Sequence, residues 1–241
     1  MIQRSEIAKT FYIDDHAAVY GLLAKAADQL YAEAGMNASA KATILYASER
    51  GRRMAKRAIR DGYPLTPGVY RIYTEWVDER KQMKVETLQL SPNYRMNGTY
   101  CVWNETWKRY GLGKYGKIYC TYVDQTMVKA FNPDNELIIH STLSLGGAGC
   151  DFEWPGLRYE NAEELKADGI LKQSKRQVAV KDFLYHCGHT VSAMGRGYAL
   201  ELGQEQSDRI VCQALEEYCK LFGEEKAKAV IRESEIDFEE L

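Results

Sequence analysis

The chain has 241 residues, enough to bury a core of its own without disulfides or a structural metal. Its 32 basic and 34 acidic side chains leave a formal charge of -2, so no global field would draw it to nucleic acid or another polyanion. The longest apolar runs, such as Leu137-Ile138-Ile139, fall far short of the roughly 20 residues that cross a bilayer as a helix, which excludes such a span.

The opening residues lack the apolar core of a secretory signal, and a cytoplasmic protein is expected. The six cysteines (Cys101, Cys120, Cys150, Cys187, Cys212 and Cys219) are scattered without a CxxC pair, and reduced thiols are expected. With five prolines and neither low-complexity tracts nor an internal repeat, the chain is expected to form one domain over residues 1–241.

In chain order, apolar residues at Ala18, Leu22, Ala26 and Leu30 recur at helical spacing, predicting a helix over 14–34 with Asp14 or Asp15 as N-cap and Gly35 as stop. A second helix is expected over 39–59. The cations Arg52, Arg53, Lys56, Arg57 and Arg60 crowd its second half, as suits a solvated helix C-terminus, the alternative being a patch for an anionic ligand. Tyr63-Pro64-Leu65-Thr66-Pro67-Gly68 then breaks the helical pattern and closes an N-terminal region of 1–62. Segments 69–76, 84–90, 94–105, 117–123, 136–144 and 150–154 are rich in β-branched and aromatic residues and predict about six strands. One short helix is expected at 124–131, before Asn132-Pro133-Asp134-Asn135. Helices return over 160–167, 178–202, 204–222 and 224–236, with Gly203 and Gly223 placed as C-caps. Segregated runs of this kind predict an α+β fold: an antiparallel sheet in 63–156 with N-terminal and C-terminal helices packed against it.

Two constellations carry candidate chemistry. Strand alternation would set Cys101, Trp103 and Glu105 on one face, opposite Val102 and Asn104, and would put Cys120 beside Ile118 and Tyr122 with Asp124 at the strand end. A buried cysteine is also an ordinary core residue, and a terminal acid an ordinary helix cap. Nearby, His140 shares a face with Ile138 and Thr142, and Gly146-Gly147-Ala148-Gly149 forms a turn or a ligand-facing loop. The sharper signal is helical. Asp182, His186 and His189 fall at i, i+4 and i+7 on one stripe, where they could act as a general base with its orienting carboxylate, as two metal ligands, or as hydrogen-bonded core histidines. Gly195 and Gly197 follow around Arg196, consistent with close packing or ligand access.

The ordered elements Tyr119-Cys120-Thr121-Tyr122-Val123-Asp124, Phe131-Asn132-Pro133, Leu143-Ser144-Leu145-Gly146-Gly147 and Cys150-Asp151-Phe152 resemble the L-2-amino-thiazoline-4-carboxylic acid hydrolase family, departing from its pattern at Gly147-Ala148. The resemblance implies hydrolytic opening of a cyclic amidine or a related amide, a C–N bond hydrolase acting on a small molecule. The same layout is similar to 4-vinyl-reductase-type small-molecule-binding domains, which implies a non-enzymatic sensor or carrier as the alternative. Some of those domains hold zinc through Cys and Glu. Cys120 and Cys150 match two such positions and His140 lies near that of the acid, but the intervening third cysteine is missing, so no metal and no cofactor are expected.

On the hydrolase reading, a pocket lies between the sheet and the long C-terminal helix. His186 or His189 activates water, Asp182 or Glu105 orients it, and Cys120 or Cys101 is the nucleophile of a covalent variant. Asn104, Asn132 or His140 would stabilise developing charge, and Arg196 would clamp a substrate carboxylate. The expected partners are a small-molecule substrate and a second copy of the chain in a homo-oligomer.

Overall fold

The computed structural model describes residues 3–238. Along the chain come α1 (Arg4–Ala8), α2 (Ile13–Arg60), α3 (Pro67–Ile72), β1 (Lys84–Gln89), β2 (Tyr94–Tyr100), α4 (Val102–Arg109), α5 (Gly113–Phe131) and β3 (Ile138–Ser141). A 3-10 turn (Leu143–Leu145) leads to β4 (Cys150–Trp154), and α6 (Ala162–Ser174), α7 (Arg176–Ala179), α8 (Phe183–Leu202), α9 (Gln204–Phe222) and α10 (Glu224–Glu233) complete the fold. It is α+β, with the described strands in one antiparallel sheet of order β1-β2-β4-β3. No helix among the described residues is long and apolar enough to cross a membrane.

The sheet has four strands, not six. The first half of segment 69–76 is helical because Thr66 accepts a hydrogen bond from the Val69 amide as N-cap and Pro67 occupies the first turn, where its fixed φ and missing N–H do no harm; the second half is irregular. Segment 117–123 lies inside α5, whose buried residues Tyr115, Tyr119, Val123, Met127 and Phe131 recur every fourth position. Residues 102–105 belong to α4, where Trp103 and Trp107 share a buried side at i and i+4. In both places β-branched and aromatic composition suggested strand, while the spacing of the apolar residues was already helical.

Among the described residues two compact units emerge from the contacts, one over 3–46, 102–122 and 182–238, the other over 47–101 and 123–181. In the first, α8 packs on α9 and α10, and α1 on α10. The start of α2 is fixed by Asp15, whose Oδ2 accepts from the Tyr12 amide while Oδ1 accepts from the Tyr218 hydroxyl and Lys226 Nζ, both at 2.7 Å. Ala32 breaks α2 with φ 48° and ψ -125°. Gly35 therefore does not stop a helix. It presses on the part of α2 before the break, where a Cβ would lie 2.0 Å from the Ala27 carbonyl oxygen, so only glycine fits. The expected C-caps hold: Gly203 and Gly223 have φ 101° and 92°. The predicted helix over 178–202 is divided, because Asp182 caps a fresh start at Phe183.

The second unit builds on the sheet. Alternation puts Met96, Phe152 and Trp154 on one side and Arg95, Asp151 and Glu153 on the other, where Arg95 grips Asp151 through two hydrogen bonds of 2.7 and 2.6 Å. The basic run of α2 is a further correction. Arg52, Lys56 and Arg60 are exposed, but Arg53 and Arg57, with Arg50, are buried around the fully buried Glu75. Arg50 Nε, Arg53 Nε and Arg57 Nη1 donate to its carboxylate at 3.1, 2.8 and 2.6 Å. Burial alone would push the Glu75 carboxyl up, yet the guanidinium charges overcome it and hold it well below the ordinary carboxylate range.

Candidate functional site

The histidine stripe folds into the interior of the first unit. His186 and His189 are 2% and 0% exposed. The His189 ring lies 4.9 Å from those of both Tyr46 and Phe238, and His186 sits against Phe183, Tyr185 and His16. Asp182 does not orient them: as N-cap of α8 it accepts from the Tyr185 amide at 2.8 Å and pairs with Arg4. Neither ring lines the cavity of the second unit described below.

A third histidine completes this cluster. Trp103 Nε1 lies 2.8 Å from His16 Nδ1, and His16 Nε2 lies 2.9 Å from the Tyr46 hydroxyl. An indole N–H can only donate, so Nδ1 carries the lone pair and Nε2–H donates to Tyr46, which fixes a neutral tautomer. Trp103→Phe removes the donor from a buried acceptor and is expected to cost about 1–2 kcal/mol in urea unfolding. Unchanged stability would contradict this role.

The remaining expected residues are dispersed. Glu105 pairs with Lys108 on α4 at 2.9 Å and accepts from Asn104 at 3.2 Å, so the strand faces inferred for them and for Cys101 and Cys120 do not exist. Cys120 is half-buried on α5. Asn132 ends α5, donating to the Leu65 carbonyl and accepting from the Asp134 amide, a turn-forming role. His140 is exposed and bonded to Glu153 at 2.8 Å, and Arg196 is exposed with a hydrogen bond to Ser192. Burial raises the Cys150 thiol above its ordinary pKa, which opposes a reactive thiolate.

The second unit holds a cavity of about 450 Å³, within the roughly 300–1,000 Å³ typical of small-molecule sites. The sheet supplies Val85, Met96, Phe152 and Trp154, and α3 supplies Tyr70, Arg71 and Ile72. From α5 come Asp124 and Met127, from α2 Arg50 and Met54, and from α6 Asp168 and Lys172. Apolar walls thus enclose three cations and two carboxylates. No residue of α8 belongs to the lining.

Asp124 is the distinctive group. It is half-buried, and among the described residues no hydrogen bond offsets the burial of its carboxylate. Burial pushes its pKa up to about 6, with the Arg50 charge offsetting part of the effect. A carboxylate so placed at neutral pH is ionised, poorly solvated and basic enough to take a proton. Asp124 was visible in the Cys-x-x-x-Asp element, where it passed for a helix cap. Arg50, Arg71, Asp168 and Lys172 stand in no motif, and only the fold brings them together.

A family model described as L-2-amino-thiazoline-4-carboxylic acid hydrolase matches residues 13–154. No curated protein and no solved structure matches the chain. The matched segment carries Arg50, Arg71 and Asp124 and ends at the last residue of β4. Since it covers more than half of the sequence, the chain belongs to the L-2-amino-thiazoline-4-carboxylic acid hydrolase family.

Proposed function

We propose that the protein hydrolyses a C–N bond of a small cyclic amidine or amide in the cavity of the second unit, with Asp124 as the proton-transfer group. The observation that carries this reading is the Asp124 carboxylate, which lies in the family-matched segment and lines a largely apolar cavity, where burial raises its pKa. Asp124 removes a proton from water as its oxygen adds to the sp² carbon. Arg50 lines the same cavity and favours the negative charge that addition pushes onto a heteroatom. The protonated Asp124 then returns the proton to the departing ring nitrogen as the C–N bond breaks, which regenerates the carboxylate.

This assignment moves the catalytic role from His186 and His189 to Asp124. A screen of cyclic amidines, lactams and hydantoins with the parent, Asp124→Asn, His186→Ala and His189→Ala tests it. Turnover by the parent and by any folded histidine variant, but not by Asp124→Asn, is the expected pattern. Turnover retained in Asp124→Asn would remove it from the mechanism. Saturable binding without turnover across the panel would favour a carrier.

A further inference from the structure

We propose that Lys172 and Arg71 form an anion subsite in this cavity that holds one carboxylate of a ring ligand lying against Tyr70, Trp76 and Trp154. The inference rests on the cavity being the substrate site, but not on the hydrolytic step.

Arg71 is held in place from two sides. Its Nη1 donates to the Tyr159 hydroxyl at 2.8 Å, and its guanidinium lies over the Tyr94 ring at 4.2 Å from the centroid. Among the described residues no carboxylate lies within ion-pair distance of Arg71 or of Lys172. The nearest acid along α6, Asp168, is engaged by the Tyr159 hydroxyl at 2.6 Å. Two half-buried cations therefore line one cavity without a direct counter-ion, which is costly unless a ligand supplies one.

The consequence is visible on Lys172, whose pKa burial and then the Arg71 charge lower to about 8. The charged groups that line the cavity with it are Arg71 from α3, Arg50 from α2, Asp124 from α5 and Asp168 from its own helix. An arriving carboxylate reverses the balance: it binds the ammonium form and raises that pKa, while the guanidinium offers a planar donor pair. A single charge suits a site in which one of two cations is near its titration point. Lys172, Asp168 and Leu165 lie beyond residue 154, so this wall comes from sequence that the family model does not cover. It is therefore placed to select ligands, while Asp124 inside the matched segment is placed to act on them.

The test is binding measured apart from turnover, by calorimetry on the full chain carrying Asp124→Asn, so that no probe is consumed. The probes are 2-aminothiazoline-4-carboxylate, its 4-carboxamide and inorganic phosphate. The carboxylate is expected to bind about 10- to 100-fold more tightly than the carboxamide. Adding Lys172→Met should reduce that preference to about threefold or less, and adding Lys172→Arg should preserve it. Carboxylate affinity should fall as pH rises through about 8 with Lys172 present and stay level with arginine in its place. Equal affinity for carboxylate and carboxamide, no binding of the carboxylate, a preference that survives Lys172→Met, or tighter binding of phosphate would each overturn the proposal. Absence of turnover in the parent together with Lys172-dependent carboxylate binding would sink the hydrolase reading and leave the subsite standing.

Discussion

Glu75→Gln is expected to destabilise the protein by about 3–5 kcal/mol, because it removes a full negative charge on which three buried guanidinium groups converge. The amide keeps the volume and one acceptor oxygen, so the loss reads charge and not a cavity. Against a total stability of roughly 5–15 kcal/mol, such a change brings the chain close to unfolding at ordinary temperature. Urea unfolding at pH 7 measures it, and a loss under about 1 kcal/mol would mean that the arginines find other partners. The pH dependence has a definite sign. The folded-state pKa of Glu75 is depressed, so its contribution is complete above the ordinary carboxylate range and drains away as pH falls through the folded value. The parent should therefore lose stability on acidification below about pH 4.5, and Glu75→Gln should show a shallower loss over the same range.

This cluster also shows where the sequence was opaque. Arg53 and Arg57 look like members of a solvated basic run, and nothing local reveals that Glu75, some 20 residues further on, is their partner. Burial of an ion cluster depends on long-range packing, which periodicity does not report. Short-range physics was legible: the caps at Gly203 and Gly223, the hairpin strands β1 and β2, and the Asn132 helix stop all follow from a few adjacent residues. The strand assignment of 117–123 failed because aromatic and β-branched content was given more weight than the four-residue spacing of Tyr115, Tyr119 and Val123. The histidine stripe was correctly placed on one helix, but a stripe says nothing of whether its face meets a cavity or another core. His16, far away in sequence, completes the second arrangement.

Asp124→Asn is expected to lower turnover by about 10²- to 10⁴-fold with little change in KM, since the amide keeps the shape of the group but cannot accept a proton. The same substitution is expected to stabilise the fold. A carboxylate whose pKa is raised from 3.8 to about 6 binds a proton more tightly in the folded state, so its ionisation above pH 6 works against folding by about 2–3 kcal/mol. Asparagine carries no such charge, and urea unfolding at pH 7 should show most of that amount returned. As pH falls from 7 towards 4 the parent should close the gap on the variant. In the parent, kcat/KM should rise with pH through about 6, because only the ionised carboxylate accepts a proton, and for a carboxylate substrate it should fall again as Lys172 loses its proton at about 8. A residue that merely shapes the cavity would lose activity and stability together. Gain of one with loss of the other is the signature of a charge kept in an unfavourable place because the reaction needs it there, and a variant that is both less stable and still active would refute it.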